Sequence, residues 1–160
     1  MPNSLPINVL TIQQIVKALA GVTIAGGYNV DLKAAVRRKM PFNLPKESLK
    51  PVVFVGHPTG QGPDEEPGEN PSHPILHMHQ HCNIVVPYLI EQQGGSSDLE
   101  LEEWLAVIYA DIRKALMANE YLDGYADKID VDPPEYGEAS VWIHVTIVYQ
   151  MNAYNPYSRT

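Results

Sequence analysis

The chain has a single cysteine, Cys82, in 160 residues. No disulfide can form within it, and its fold cannot depend on oxidising surroundings. Long apolar runs are missing as well. The longest, Ile84 to Ile90, falls far short of the roughly 20 residues that a membrane-spanning helix needs and is broken by Pro87. Met1-Pro2-Asn3-Ser4 lacks both the basic start and the apolar core of a secretory signal, so the expectation is a soluble protein made in a cytoplasm. Basic residues are scarce: eleven Lys and Arg stand against nineteen Asp and Glu, a net charge of −8. That balance argues against nucleic acid as the main partner, because phosphate binding needs a dense basic surface. Catalytic templates are also lacking. There is no G-x-S-x-G elbow, no phosphate-binding glycine loop and no CxxC, and nothing identifies a nucleophile.

The composition that is present is globular. A chain of this length can bury roughly 70% of the surface its unfolded form exposes, which suffices for one core and predicts one domain over 1–160. Fourteen prolines and eleven glycines predict several rigid or irregular connections. Charge is unevenly spread. Lys33, Arg37, Arg38, Lys39, Lys46 and Lys50 fall within 18 positions, whereas acids crowd Asp64 to Glu69, Asp98 to Glu103 and Glu120 to Glu138. Solvated faces would explain this pattern. A basic patch on one copy meeting an acidic patch on the next, as in a head-to-tail ring, would explain it too. On that second reading Arg37, Arg38 and Lys39 form one side of the interface, and Asp127, Asp130, Asp132 and Glu135 the other. The spacing of Asp130 and Asp132 resembles a catalytic carboxylate pair, but Asp127, Glu135 and Glu138 beside them predict a solvated acidic turn.

Periodicity supplies the elements. Ile12, Ile15, Val16 and Leu19 share one face of a helix over Thr11 to Ala20, which Gly21 and the Gly26-Gly27 pair end. Tyr28 to Leu32 then leads into an apolar-to-basic run, Ala34 to Lys39, and Val52 to Gly56 has the continuous apolar character of a buried strand. His57 to Pro74, crowded with turn formers and acids and without an apolar anchor, predicts an extended or mobile loop. Ile75 to Val86 alternates as a strand. Asp98 is a good helix N-cap, and Leu101, Trp104, Leu105, Ile108, Ile112, Ala115 and Leu116 form one stripe along a helix to Asn119. A short strand follows near Ile129 and Val131, stopped by Pro133-Pro134. Ala139 to Gln150 alternates clearly, with Val141, Ile143, Val145, Ile147 and Tyr149 on one face and Trp142, His144, Thr146 and Val148 on the other. Met151 to Thr160 shows no periodicity and predicts an irregular tail carrying Tyr154 and Tyr157. The fold class expected is α+β: a mostly antiparallel sheet covered on one side by two helices.

His77, His79 and His81 stand at every second position of their strand and so share one face. That arrangement can offer two or three nitrogen ligands to zinc, nickel or copper. A metalloenzyme would also need a carboxylate or fourth ligand and an open coordination position. The next positions hold Asn83, Ile84 and Val85, Glu91 comes too late, and His144 could approach only if its strand pairs with this one. The plainer reading is a polar strand face opposite Leu76, Met78, Cys82, Ile84 and Val86. It predicts no metal, no cofactor and no catalytic residue. A small metal-binding protein or metalloenzyme built on the three histidines is the alternative.

The order of these parts resembles the tail terminator, or tail completion, proteins of long-tailed bacteriophages. The resemblance lies in a short N-terminal helix, the Gly26-Gly27-Tyr28 turn with Asp31 after it, and a strand holding Val36 and Arg37. A second strand, a loop of variable length, a third strand, one long helix and a final alternating strand complete it. What the resemblance implies is a structural virion protein without enzymatic activity or cofactor, located in the tail or neck and in the host cytoplasm during assembly. It implies a homo-oligomeric ring, of six copies in the family, that caps the tail tube, ends its polymerisation and joins the neck or head connector. The implied partners are further copies of the chain, the tube protein, the connector protein and, in a contractile tail, the sheath protein. Another neck or tail component, such as a head-closure or tube-associated protein, would share these features.

Overall fold

A computed structural model describes residues 5–36, 52–55, 59–64, 75–87, 98–137, 140–152, 154, 155, 157 and 159. Helix α1 spans Ile7–Ala20, one turn more at its start than the Thr11 to Ala20 expected. Pro6 precedes it with an extended ψ of 150°, and its carbonyl accepts from Val9 N at 3.0 Å and Leu10 N at 3.1 Å. Proline suits that position because the first helical turn needs no N–H from it. The extra turn adds buried Ile7 to the stripe of Ile12, Ile15 and Leu19. Helix α2 spans Asp98–Met117 and buries Leu105, Ile108, Ile112, Ala115 and Leu116, with Trp104 half-buried against the same core.

Seven strands among the described residues form one sheet: β1 (Lys33–Val36), β2 (Val52–Val55), β3 (Thr59–Asp64), β4 (Ile75–Pro87), β5 (Lys128–Val131), β6 (Glu135–Tyr136) and β7 (Ser140–Asn152). The main order is β1-β2-β4-β7-β5, with β3 added to β4 and β6 to β7. β1 and β2 are parallel and every other pairing is antiparallel. The centre is a ribbon of two 13-residue strands, β4 and β7, paired from Ile75↔Asn152 to Pro87↔Ser140. Short strands line its two edges in tandem. β2 meets β4 at Val85 and Ile84 and β3 meets it from His81 to His77, while β5 and β6 share the far edge of β7.

The ribbon's alternation sorts its faces. Cys82, Ile84, Val86, Val141, Ile143, Val145, Ile147 and Tyr149 point into one continuous apolar cluster with the stripes of α1 and α2. The helices therefore cover one side of a mostly antiparallel sheet, and the fold is α+β. Gln80 belongs to the inward series and is buried, yet it is polar. Its Nε2 donates to the Asn8 carbonyl at 3.0 Å, and its Oε1 lies 3.1 Å from the hydroxyl of buried Thr11. Those bonds make its burial tolerable and tie β4 to the first turns of α1.

Besides the earlier start of α1 and the end of α2 at Met117 instead of Asn119, three parts of the sheet differ from the sequence expectation. Residues 59–64, expected inside a loop, form β3. β4 outruns β2, so its backbone groups from His77 to His81 would otherwise be an open edge, and a main-chain ladder needs no apolar side chain to fill it. The register shifts between Gln61 and Asp64, where Gly62-Pro63 interrupts the chain and Pro63 has no N–H to donate. Glu135 and Tyr136, expected in an acidic turn, form the two-residue β6 on β7. β7 continues two residues beyond Gln150, to Asn152, because β4 still pairs with it there. The remainder of the 57–74 loop and the basic run Arg37, Arg38 and Lys39 lie outside the described residues.

Candidate functional site

The turn after α1 is fixed by its own polar side chains and by α2. Gly27 has φ +84°, a left-handed conformation that glycine adopts without the penalty a Cβ brings. Thr23 Oγ1 accepts from Gly26 N at 3.1 Å and Asp31 Oδ1 accepts from Ile24 N at 2.9 Å, closing the turn on itself. Leu32 N donates to the Val22 carbonyl at 2.9 Å and leads the chain into β1. Buried Asp111 of α2 then accepts three bonds: from Asn29 N at 2.7 Å, Asn29 Nδ2 at 3.0 Å and Val30 N at 3.1 Å. Lys114, one helical turn later, donates to the Gly27 carbonyl at 3.0 Å and stands 4.8 Å over the Tyr28 ring. The glycine-glycine-tyrosine turn is thus a rigid part of the body.

The sheet face away from the helices carries His77, His79, His81, Asn83 and Val85 from β4, and Trp142, His144, Thr146, Val148 and Gln150 from β7. Most of these side chains are half-buried. β4 and β7 do pair, which sets His144 opposite Asn83 and His81 opposite Thr146. His81 Nδ1 lies 3.1 Å from Thr146 Oγ1. His144 bonds Asn83 Oδ1 through Nδ1, and its Nε2 is 3.4 Å from Glu135 Oε2 of β6. Among the described residues, no group of three or more His, Cys, Asp or Glu side chains is placed to hold a metal ion.

The acidic candidates gather at one edge. Asp127 opens β5 by donating its N–H to the Val148 carbonyl at 2.8 Å, and Asp130 lies on β5 itself. Asp132 donates its N–H to the His144 carbonyl at 2.9 Å, and Glu135 starts β6. Three of the four have a basic neighbour in their own chain. Arg159 bonds Asp127 through Nη2 and the Gly124 carbonyl through Nη1, Lys128 pairs with Asp130 at 2.8 Å, and His144 faces Glu135. Exposed pairs of this kind contribute little to folding and exchange easily.

Sequence reasoning missed Asp111, Gln80 and Arg159. Asp111 sits beside Ile112 at the margin of the α2 stripe, where an acid reads as solvated, and its partner Asn29 is remote in sequence. Arg159 had one visible signal: it is the only basic residue after Lys128. No protein-family model matches the chain, and no curated protein matches it.

Proposed function

We propose that this chain is a tail terminator: a structural virion protein whose copies form a ring on the last layer of a bacteriophage tail tube. The ring ends tube growth and offers its other side to the neck or head connector. The observation that carries this reading is the strand order, taken with the sequence that adjoins its two end strands. β1 and β5 are the two ends of the main strand order, β1 runs directly into Arg37-Arg38-Lys39 in sequence, and β5 lies between Asp127 and Asp132. A basic run that follows one end strand in sequence and acids that flank the other suit head-to-tail association, in which each copy uses two different patches and the series closes into a ring. The element order of the family resemblance gives further support.

Such a cap must satisfy the edges and charges of the final tube layer without presenting an equivalent surface to another tube subunit. The test is the mass of the purified protein by light scattering. A ring of six copies of the 17.8 kDa chain is expected, weakened when Arg37, Arg38 and Lys39 are reversed in charge, and weakened most at low salt, where screening is least. A wild-type protein that stays monomeric at high concentration contradicts the reading.

A further inference from the structure

Asp123 is followed by Gly124, and no other Asp or Asn in the chain precedes a glycine. The pair matters chemically because glycine has no side chain to hinder its nitrogen from approaching the preceding carboxyl group. Both residues are exposed, in the turn between α2 and β5. Leu122, Asp123 and Gly124 all have positive φ, at 45°, 55° and 88°. Two non-glycine residues in succession are strained in that region, so the surrounding contacts must hold the turn.

Those contacts lie mostly at the surface. Buried Leu122 anchors the turn in the core, Asp123 N donates to Asn119 Oδ1 at 3.0 Å, and Gly124 N donates to the Tyr121 carbonyl at 2.8 Å. Lys17 of α1 pairs with Asp123 Oδ2 at 2.9 Å, with the two side chains 72% and 46% exposed. Arg159 bonds the Gly124 carbonyl. Of these, Lys17 is the one that touches the carboxyl group.

The reaction open to such a pair is a rearrangement of the peptide bond. Gly124 N attacks Asp123 Cγ, a C–N bond forms, and the carboxyl hydroxyl leaves as water with the Gly124 amide proton. Water then opens the five-membered imide. Addition at the Asp123 main-chain carbonyl breaks the original C–N bond and leaves the chain running through the side chain, as isoaspartate, whereas addition at Cγ restores aspartate. The folded turn opposes the first step in three ways. A ψ of 32° at Asp123 points Gly124 N away from the Cβ side where the ring would close, the Tyr121 carbonyl holds that nitrogen's proton, and the Lys17 ammonium stands at the oxygen that must take up a proton to leave as water.

We infer that Asp123-Gly124 is a modification site which the fold keeps shut: it converts to isoaspartate when the turn opens, and Lys17 sets how fast. Backbone strain favours opening, and an exposed ion pair opposes it only weakly. Conversion inserts one carbon into the main chain between Leu122 and Gly124 and moves the free carboxylate, so the contact with Lys17 is lost and the turn does not reclose as before. The inference is independent of the ring reading.

The test incubates the full chain at neutral pH and physiological temperature and follows isoaspartate in the peptide carrying Asp123, by mass spectrometry and by labelling with an isoaspartyl methyltransferase. The folded wild type is expected to convert more slowly than the same chain in urea. Lys17→Ala should speed conversion about two- to five-fold, the factor to which the free energy of an exposed pair corresponds, and Lys17→Arg should restore the wild-type rate. Lys128→Ala breaks the comparably exposed pair with Asp130 and is expected to leave the rate unchanged, which separates the local contact from a general loss of stability. Equal rates in the folded and the urea-unfolded chain overturn the inference. So do equal rates in Lys17→Ala and wild type, or the same acceleration from Lys128→Ala.

Discussion

The carboxylate of Asp111 accepts the backbone N–H of Asn29 at 2.7 Å, and this bond joins the long helix to the turn that follows the short one. Asn29 Nδ2 and Val30 N complete its coordination. Asp111→Ala leaves three part-buried N–H donors without their charged acceptor and is expected to destabilise the protein by about 2 kcal/mol. Asp111→Asn, which keeps one acceptor oxygen, loses less. Thermal melting of the two variants checks the order, and equal melting temperatures for Asp111→Ala and wild type would contradict it.

The two glycines of the same turn differ in what an added methyl meets. At Gly27 nothing lies within 4 Å of a Cβ, so Gly27→Ala carries the conformational penalty of φ +84° alone, roughly 1 kcal/mol. At Gly26 a Cβ would come within 3.1 Å of Thr23 Oγ1 and 3.3 Å of the Gly21 carbonyl. Gly26→Ala is therefore expected to disturb the Thr23 cap itself. Thr23→Ala combined with each glycine variant separates the two: it relieves part of the Gly26→Ala loss and none of the Gly27→Ala loss.

Deleting residues 59–70 tests the one large revision of the sequence reading. As an unanchored loop this segment could be removed with little effect on melting. As the carrier of β3 it covers β4 from His77 to His81, and its removal bares a sheet edge. A fall of several degrees in melting temperature with a greater tendency to aggregate is expected. An unchanged melting curve and clean monodispersity would show that β3 contributes nothing to the fold.

Burial raises the Cys82 thiol from its ordinary 9.0 to about 12, and burial raises the Tyr149 phenol as well. In the unfolded chain both groups release their protons at ordinary values. The folded state holds the Cys82 proton more tightly, so its contribution is fully present below about pH 9 and is lost as pH rises toward 12. The loss is on the order of 4 kcal/mol at the upper limit. Denaturant melts at pH 8 and above pH 10 measure the slope. Cys82→Val should flatten it in part, leaving the smaller share of Tyr149. A variant with the wild-type slope would place the alkaline loss elsewhere.

What could be read in advance follows from which contacts a local pattern encodes. The alternation of Val141, Ile143, Val145, Ile147 and Tyr149 and the stripe of Leu105, Ile108, Ile112 and Leu116 specify buried faces directly, and both faces are buried as their spacing implies. Backbone pairing carries no such mark. β3 has no apolar rhythm because its partner is the edge of β4, and β6 is two residues long. Polar contacts between remote residues are equally silent. Gln80 sits in an inward series where an apolar side chain would be expected, and only the nearby Asn8 carbonyl and Thr11 explain it. The acidic positions Asp127, Asp130 and Glu135 were visible as a cluster, but their pairing with Arg159, Lys128 and His144 depends on how β5, β6 and the tail return to β7.

The central claim is that this chain ends tail-tube growth and joins tails to heads. Electron micrographs of particles assembled in a phage lacking the chain test it most directly. Tubes of uncontrolled length, or tails that never join heads, are the expected result, with normal tails restored when the protein is supplied. Head-joined tails of normal length in its absence would contradict the account.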